Sequence, residues 1–178
     1  MEKKPVILLM LLLSLTGVVV GVFAFLQERK APRPDNDLIW HVEIGPAGTE
    51  TLVRGGKIDS IRDDANKLVA ALNGTDKDPE LFRAPAGREP SDPPKVKLMN
   101  IKNDAASVEV INADYLTEKM GSSGAQAYLA SVTFTLTEDP KIKKVNFFFE
   151  EGDHAMPGTY TRKDFANYKI LAPGGSGR

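Results

Sequence analysis

The feature that most constrains this chain is an uncharged apolar segment near its amino terminus. Residues 5–26 read PVILLMLLLSLTGVVVGVFAFL and contain no charged side chain. A helix rises about 1.5 Å per residue, so the segment would be about 33 Å long, enough for the roughly 30 Å hydrocarbon core of a bilayer. The exit, Phe23-Ala24-Phe25, is not a small-residue cleavage motif. We therefore expect a transmembrane anchor over residues 5–26, with a cleaved signal sequence as the alternative.

The charges that flank this segment leave its orientation open. Lys3 and Lys4 precede it, and Arg29, Lys30 and Arg33 follow it closely. Flanking basic residues favour the cytoplasmic side of a membrane, and here both sides carry them. The flanks therefore do not predict on which side the rest of the chain lies.

The remainder of the sequence predicts one folded domain over residues 38–172. A tail over residues 1–4 precedes the apolar segment, residues 27–37 form a charged linker, and residues 173–178 form a flexible tail. The net charge is −1 and no cysteine is present. Nucleic-acid binding is not favoured, because it needs clustered lysine and arginine. The lack of cysteine excludes thiolate catalysis, thiolate metal sites and disulfides.

The first half of the domain predicts a hairpin followed by an amphipathic helix. The runs 38–44 and 51–54 have strand-like composition and are separated by Gly45-Pro46. A helix is then predicted to begin at Asp59 or Ser60 and to end at Asn73-Gly74. Its apolar residues recur on one face: Ile61, Ala65, Leu68, Val69 and Leu72. Asn73-Gly74-Thr75 is also a glycosylation sequon, which we interpret as a helix stop.

The second half predicts a loop, a second hairpin, a helix and a final strand. Prolines exclude regular structure over most of residues 75–95. Strands are predicted over 96–101 and 107–111, joined by Lys102-Asn103-Asp104. Residues 122–138 fit both a helical stripe and a strand-like alternation, and we choose a helix because the segment is long for a strand.

The predicted order is strand, strand, helix, strand, strand, helix, strand. Helices spaced among hairpins are typical of an α+β fold. We expect a small mixed or antiparallel sheet with two helices packed on one face, in addition to the N-terminal transmembrane helix.

Short strings in this order resemble the GerMN domain of spore-germination and sporulation proteins. Residues 125–145 resemble the family's second helix and the entry to its last strand, residues 59–74 its first helix, and residues 108–115 its hairpin arm. Val110 and Thr75 stand where the family has aspartate and proline, respectively. The resemblance covers residues 38–152.

The resemblance implies a role rather than a chemistry. It implies a single-pass membrane protein whose soluble domain is extracytoplasmic, in the periplasm or at the cell surface. Such a domain acts in sporulation, germination or envelope assembly, and contacts envelope proteins or a second copy of itself through the sheet. We therefore expect no enzymatic activity and no cofactor.

The residues themselves predict no catalytic, cofactor or metal site. The strongest candidate cluster is Glu150, Glu151, Asp153 and His154, directly after the last strand. A zinc site normally needs three or four fixed ligands, and the one other histidine, His41, is remote in sequence. We therefore interpret the cluster as a solvated loop. The alternative function is an envelope hydrolase, or a cell-wall or small-ligand binding domain, that uses the loops 75–95 and 150–154.

A possible interaction surface is predicted at Phe148, Glu150 and His154. Successive strand residues face opposite sides, so Phe148 must point away from Phe147 and Phe149. If helices leave that side uncovered, Phe148 marks an apolar contact surface for a partner. Packing of residues 160–170 over it is the alternative.

Overall fold

A computed structural model describes residues 36–45, 48–74 and 92–171 of the chain. The predicted anchor over residues 5–26, the tails and most of the loop 75–95 lie outside these residues. Within the described part, no helix combines the length and hydropathy needed to cross a membrane. The described residues form an α+β fold with two sheets, which confirms the predicted class.

A three-stranded sheet contains both ends of the described chain. Strands β1 (Trp40–Ile44) and β2 (Glu50–Arg54) form the predicted antiparallel hairpin. Strand β7 (Lys169–Leu171) pairs in parallel with β2, Leu52 opposite Ile170. Strand β7 was not predicted from the sequence, because three residues are too few to show the alternation of a strand.

The first helix begins later than predicted. A short 3₁₀ turn, Ile58–Ser60, comes first, and helix α1 spans Ala65–Gly74. Its cap is Asp64, whose Oδ1 accepts hydrogen bonds from the backbone nitrogens of Asn66 and Lys67 at 3.0 and 3.3 Å. A start at Asp59 or Ser60 is therefore wrong. Asp59 is instead held in an ion pair with Arg54, which lies at the end of β2.

A four-stranded sheet has the order β3-β4-β5-β6. Strands β3 (Lys95–Lys102) and β4 (Ala105–Ile111) form the second predicted hairpin. Its two turn residues, Asn103 and Asp104, have φ of 51° and 60°. Positive φ at both positions is the requirement of a type I′ turn, which asparagine and aspartate tolerate. Strand β5 (Lys144–Phe148) is parallel to β4, and β6 (Gly158–Tyr160) is antiparallel to β5.

Helix α2 spans Ser122–Leu136, which confirms the choice of helix over strand. All residues from Val132 to Leu136 are buried. The helix contacts β1, where Thr135 Oγ1 accepts a hydrogen bond from Trp40 N at 3.0 Å, and it also contacts β5. Because this end of the helix is buried on all sides, its sequence shows no single apolar stripe. This explains why both the helical and the strand-like periods fitted the same residues.

One core joins the helices to the inner faces of both sheets. It includes Leu52 from the three-stranded sheet, Phe147 from the four-stranded sheet, and Leu68 and Phe134 from the helices. Full burial of one such side chain stabilises the fold by about 2 kcal/mol. The expectation of a single sheet is wrong, because β1, β2 and β7 form a separate one.

Candidate functional site

The outer face of the four-stranded sheet carries several exposed side chains, among them Lys97, Asn100 and Phe148. Strand register places every second residue of each strand on this face. Lys97, Glu109 and Phe148 form one row across β3, β4 and β5. Asn100, Ser107, Asn146 and Thr159 form the neighbouring row across all four strands. The helices pack on the opposite face, against residues such as Val108 and Phe147.

Hydrogen bonds between side chains order the second of these rows. Thr159 Oγ1 donates to Asn146 Oδ1 at 2.8 Å, and Asn146 Nδ2 donates to Ser107 Oγ at 3.5 Å. In the first row, Lys97 Nζ and Glu109 Oε2 form an ion pair at 2.9 Å. The face is therefore mostly polar, with Phe148 and, at the end of β4, Ile111 as exposed apolar side chains.

Phe148 occupies the position that the sequence predicted. Its side chain is 51% exposed, whereas that of Phe147 is 2% exposed. The alternative, a covering layer from residues 160–170, is not seen in the described residues. Tyr160 packs instead against Phe147, with ring centroids 5.6 Å apart, and stacks on Phe165 at 5.8 Å. Both contacts are on the core side of the sheet.

His154 lies in different surroundings from Phe148. Its backbone nitrogen donates to Thr117 O at 3.0 Å, and its Nδ1 lies 3.3 Å from Ser122 Oγ, at the first residue of α2. Helix α2 packs on the core side of the sheet, so His154 faces away from the outer face. Glu150 is exposed between the two. The structure thus places Phe148 on the open face and His154 against the helix start.

The Ser122–His154 pair is the one arrangement near this loop that resembles catalytic chemistry. A serine nucleophile needs an adjacent base, and that base needs a third group that orients it. In the described residues, no carboxylate forms a hydrogen bond with the His154 ring. The described residues also contain no group of three or more His, Asp or Glu side chains placed to hold a metal.

A partly buried ionic cluster around Glu138 was not predicted from the sequence. The Glu138 carboxylate accepts hydrogen bonds from Trp40 Nε1 at 2.8 Å, from an Arg54 terminal nitrogen at 2.7 Å, and from an Arg162 terminal nitrogen at 3.1 Å. Arg162 also lies over the Phe134 ring, at 4.9 Å from its centroid. The cluster links β1, β2, the end of α2 and the segment after β6.

Electrostatics at this cluster favour its charged form. Burial raises the pKa of Glu138, but hydrogen bonds from Arg54, Trp40 and Arg162 outweigh burial, and the net pKa lies below the ordinary value. The hydrogen bonds to Glu138 and Asp59 hold the pKa of Arg54 above its ordinary value. Each charge has a partner within the cluster, so we interpret the cluster as structural: it stabilises the contact between these elements.

Comparison of the chain with protein-family models, with curated proteins and with solved structures gave no match. The functional assignment therefore depends on the geometry described above and on the sequence itself.

Proposed function

We propose that this chain is a membrane-anchored, non-enzymatic interaction domain that contacts its partner through the outer face of the four-stranded sheet. The observation that carries the proposal is Phe148, a large apolar side chain that is half exposed at the last residue of β5, beside Glu109 of β4. Aromatic residues are enriched at interfaces because they bury a large area with little loss of side-chain entropy. A polar surround such as Lys97 and Glu109 is typical of an interface rim.

The proposal also includes the family of the domain, GerMN-like, and its location outside the cytoplasm. The observed order of the first seven regular elements, β-β-α-β-β-α-β, is the order that led to the GerMN resemblance, and it supports that resemblance. With residues 5–26 as the anchor, the resemblance, rather than the flanking charges, implies that the domain lies outside the cytoplasm of a bacterial cell. The partner would then be an envelope protein or a second copy of the chain.

A single substitution tests the surface. Phe148→Ser should reduce recovery of a cross-linked partner from membranes by at least about tenfold, because an anchor residue of an interface contributes roughly 2 kcal/mol or more. Ile170→Ser is the matched control, since Ile170 is also 51% exposed but belongs to the other sheet. Equal recovery from wild type and from Phe148→Ser would contradict the proposal.

Protease accessibility tests the location. In spheroplasts of cells that express the chain, added protease should digest residues 38–172 while the bilayer protects residues 5–26. If the domain stays intact in spheroplasts and is digested only after the cells are lysed, it lies in the cytoplasm. That result would contradict the extracytoplasmic part of the proposal.

The second candidate function is an envelope hydrolase, favoured by the 3.3 Å separation of Ser122 Oγ and His154 Nδ1. A fluorophosphonate probe distinguishes it from the first, because the probe reacts with activated serines only. We expect no labelling of the wild-type chain. Stoichiometric labelling that is lost in Ser122→Ala would establish the hydrolase instead.

A further inference from the structure

A polar groove lies at one end of the outer face, beside the turn that joins β3 and β4. It has a volume of about 320 Å³ and is lined by residues of three strands and one turn: Asn100, Lys102, Asn103, Ala105, Ser107, Lys144 and Asn146. Sites for small ligands start at about 300 Å³. The groove is open to solvent, so a ligand bound there would remain partly exposed on the face of the sheet.

The floor of the groove is made by small side chains. Ala105 and Ser107, both on the outer face of β4, are only 5% and 8% exposed. Longer side chains on the two neighbouring strands cover them from either side, Lys102 opposite Ala105 on β3 and Lys144 opposite Ala105 on β5. A register shift between Leu98 and Asn100 brings Asn100 opposite Ser107. Small residues in the centre and long residues on both sides create the concavity.

Hydrogen-bond donors dominate the lining. Lys102 and Lys144 contribute ammonium groups, and the three asparagines contribute amide nitrogens. Ser107 contributes a hydroxyl that accepts from Asn146 and has its own proton to donate. Lys143 and Lys141 lie one and three residues before Lys144 and are both exposed, so they add positive charge at this end of the sheet. The nearest acid, Asp104, forms an ion pair with Lys144 at 3.1 Å.

We infer that this groove binds a phosphate group carried by a saccharide. Two lysines act as point charges for a phosphate, which is their common role in phosphate sites. Asparagine amides and a serine hydroxyl suit the hydroxyl groups of a sugar, because each can donate and accept hydrogen bonds.

This inference goes beyond the proposed function and depends on different residues. Phe148 lies in the row of Lys97 and Glu109, whereas the groove lies toward the opposite end of β4 and β5. Partner capture through Phe148 and ligand binding in the groove can therefore fail independently.

Titration followed by NMR tests the site on the full-length chain in a neutral detergent. Glucose 1-phosphate should shift the side-chain amide signals of Asn100, Asn103 and Asn146 with a saturating curve. Glucose should give no shift, because it lacks the charge, and inorganic phosphate should bind at least about fivefold more weakly because it lacks the sugar contacts. No shift with glucose 1-phosphate would overturn the site, and equal affinity for inorganic phosphate would overturn the saccharide assignment.

Charge variants supply the matched controls. Lys102→Gln and Lys144→Gln should each weaken binding of glucose 1-phosphate by about fivefold, the effect of one unit charge at about 4 Å in water. Lys97→Gln, on the same face but outside the groove, should leave the affinity unchanged. Asp104→Asn should tighten binding, since it frees Lys144 and asparagine keeps the positive φ of the turn. An equal loss in Lys97→Gln, or weaker binding in Asp104→Asn, would show non-specific attraction and would overturn the inference.

Discussion

At the residue scale, Glu138 connects parts of the chain that are far apart in sequence. Its carboxylate joins Trp40 and Arg54, from the first hairpin, to Arg162 near the carboxyl-terminal end of the domain. Hydrogen bonds to a charged group are stronger than neutral ones, and their loss leaves buried donors without a partner. Glu138 therefore stabilises the contact between the three-stranded sheet and α2.

We predict that Glu138→Gln lowers the free energy of unfolding by about 3 kcal/mol, since it removes one partner of a largely buried ion cluster. Denaturant unfolding measures this, with fluorescence of Trp40, the sole tryptophan, as the probe. The control is Glu109→Gln, which breaks an exposed ion pair with Lys97 and should cost less than about 1 kcal/mol. Similar losses in both variants would contradict the structural role of the cluster.

The same residue predicts a pH dependence. The pKa of Glu138 is lower in the folded chain than its ordinary value of 4.5, so folding favours the ionised carboxylate. Its contribution is fully present above the unfolded-state value and is lost as the pH falls through the lower folded pKa. The stability gap between wild type and Glu138→Gln should therefore be constant near neutral pH and should narrow in acid. A gap that widens in acid would contradict the sign of the shift.

The side chain of Asn73, which belongs to the sequon, forms two hydrogen bonds with the backbone of β3. Its Nδ2 donates to Val96 O, and its Oδ1 accepts from Val96 N, both at 2.8 Å. The side chain thereby occupies backbone groups at the outer edge of β3, and its amide nitrogen is already engaged. This agrees with the interpretation of Asn73-Gly74-Thr75 as a helix stop.

We predict that Asn73→Asp costs about 1–3 kcal/mol, because a carboxylate replaces the donor to Val96 O and repels that carbonyl. The control is Asn66→Asp in the exposed first turn of α1, where an added negative charge is neutral or slightly favourable. Thermal unfolding of both variants measures the difference. An unchanged midpoint in Asn73→Asp would show that the edge contact contributes nothing.

At the element scale, the loop after β5 depends on a close approach of two backbone segments. A Cβ atom at Gly152 would lie 2.6 Å from Thr117 Cβ and would also meet the Glu118 carboxylate. Both residues belong to a π-helical turn, Tyr115–Lys119, that precedes α2. The loop that contains Glu150 and His154 is therefore held against this turn.

We predict that Gly152→Ala displaces the loop and breaks the contact between His154 N and Thr117 O. Amide hydrogen exchange at His154 should become faster by at least about tenfold. Without this packing the closed loop is less stable, so it opens more often and exposes the amide. Gly56→Ala is the control, since a Cβ there meets no atom within 4 Å. Unchanged protection of His154 in Gly152→Ala would contradict the close approach.

The elements also show which parts of the fold the sequence predicted. Both hairpins follow from alternating patterns and turn residues that lie close together in the chain. Helix α2 was ambiguous because its carboxyl-terminal half is buried all round, so its residues carry no single-sided stripe. The start of α1 was missed because Asp59 and Asp64 are both good caps; in the structure Asp64 caps the helix, and Asp59 pairs with Arg54 instead.

At the scale of the whole molecule, long-range pairing determined what sequence patterns could not predict. β7 joins β2 across more than a hundred residues and so creates a second sheet. The Glu138 cluster and the polar groove likewise combine residues from separate elements, and only the register of the strands brings them together. Phe148 was predictable because its orientation depends on its two sequence neighbours alone.

We propose that the outer face of the four-stranded sheet is the contact surface. A photo-reactive amino acid introduced at position 148 in growing cells tests it most directly, with position 170 as the equally exposed control on the other sheet. We expect a discrete cross-linked species, either a dimer or a complex with an envelope protein, from position 148 and none from position 170. Cross-links from position 170 alone, or equal cross-links from both positions, would contradict it.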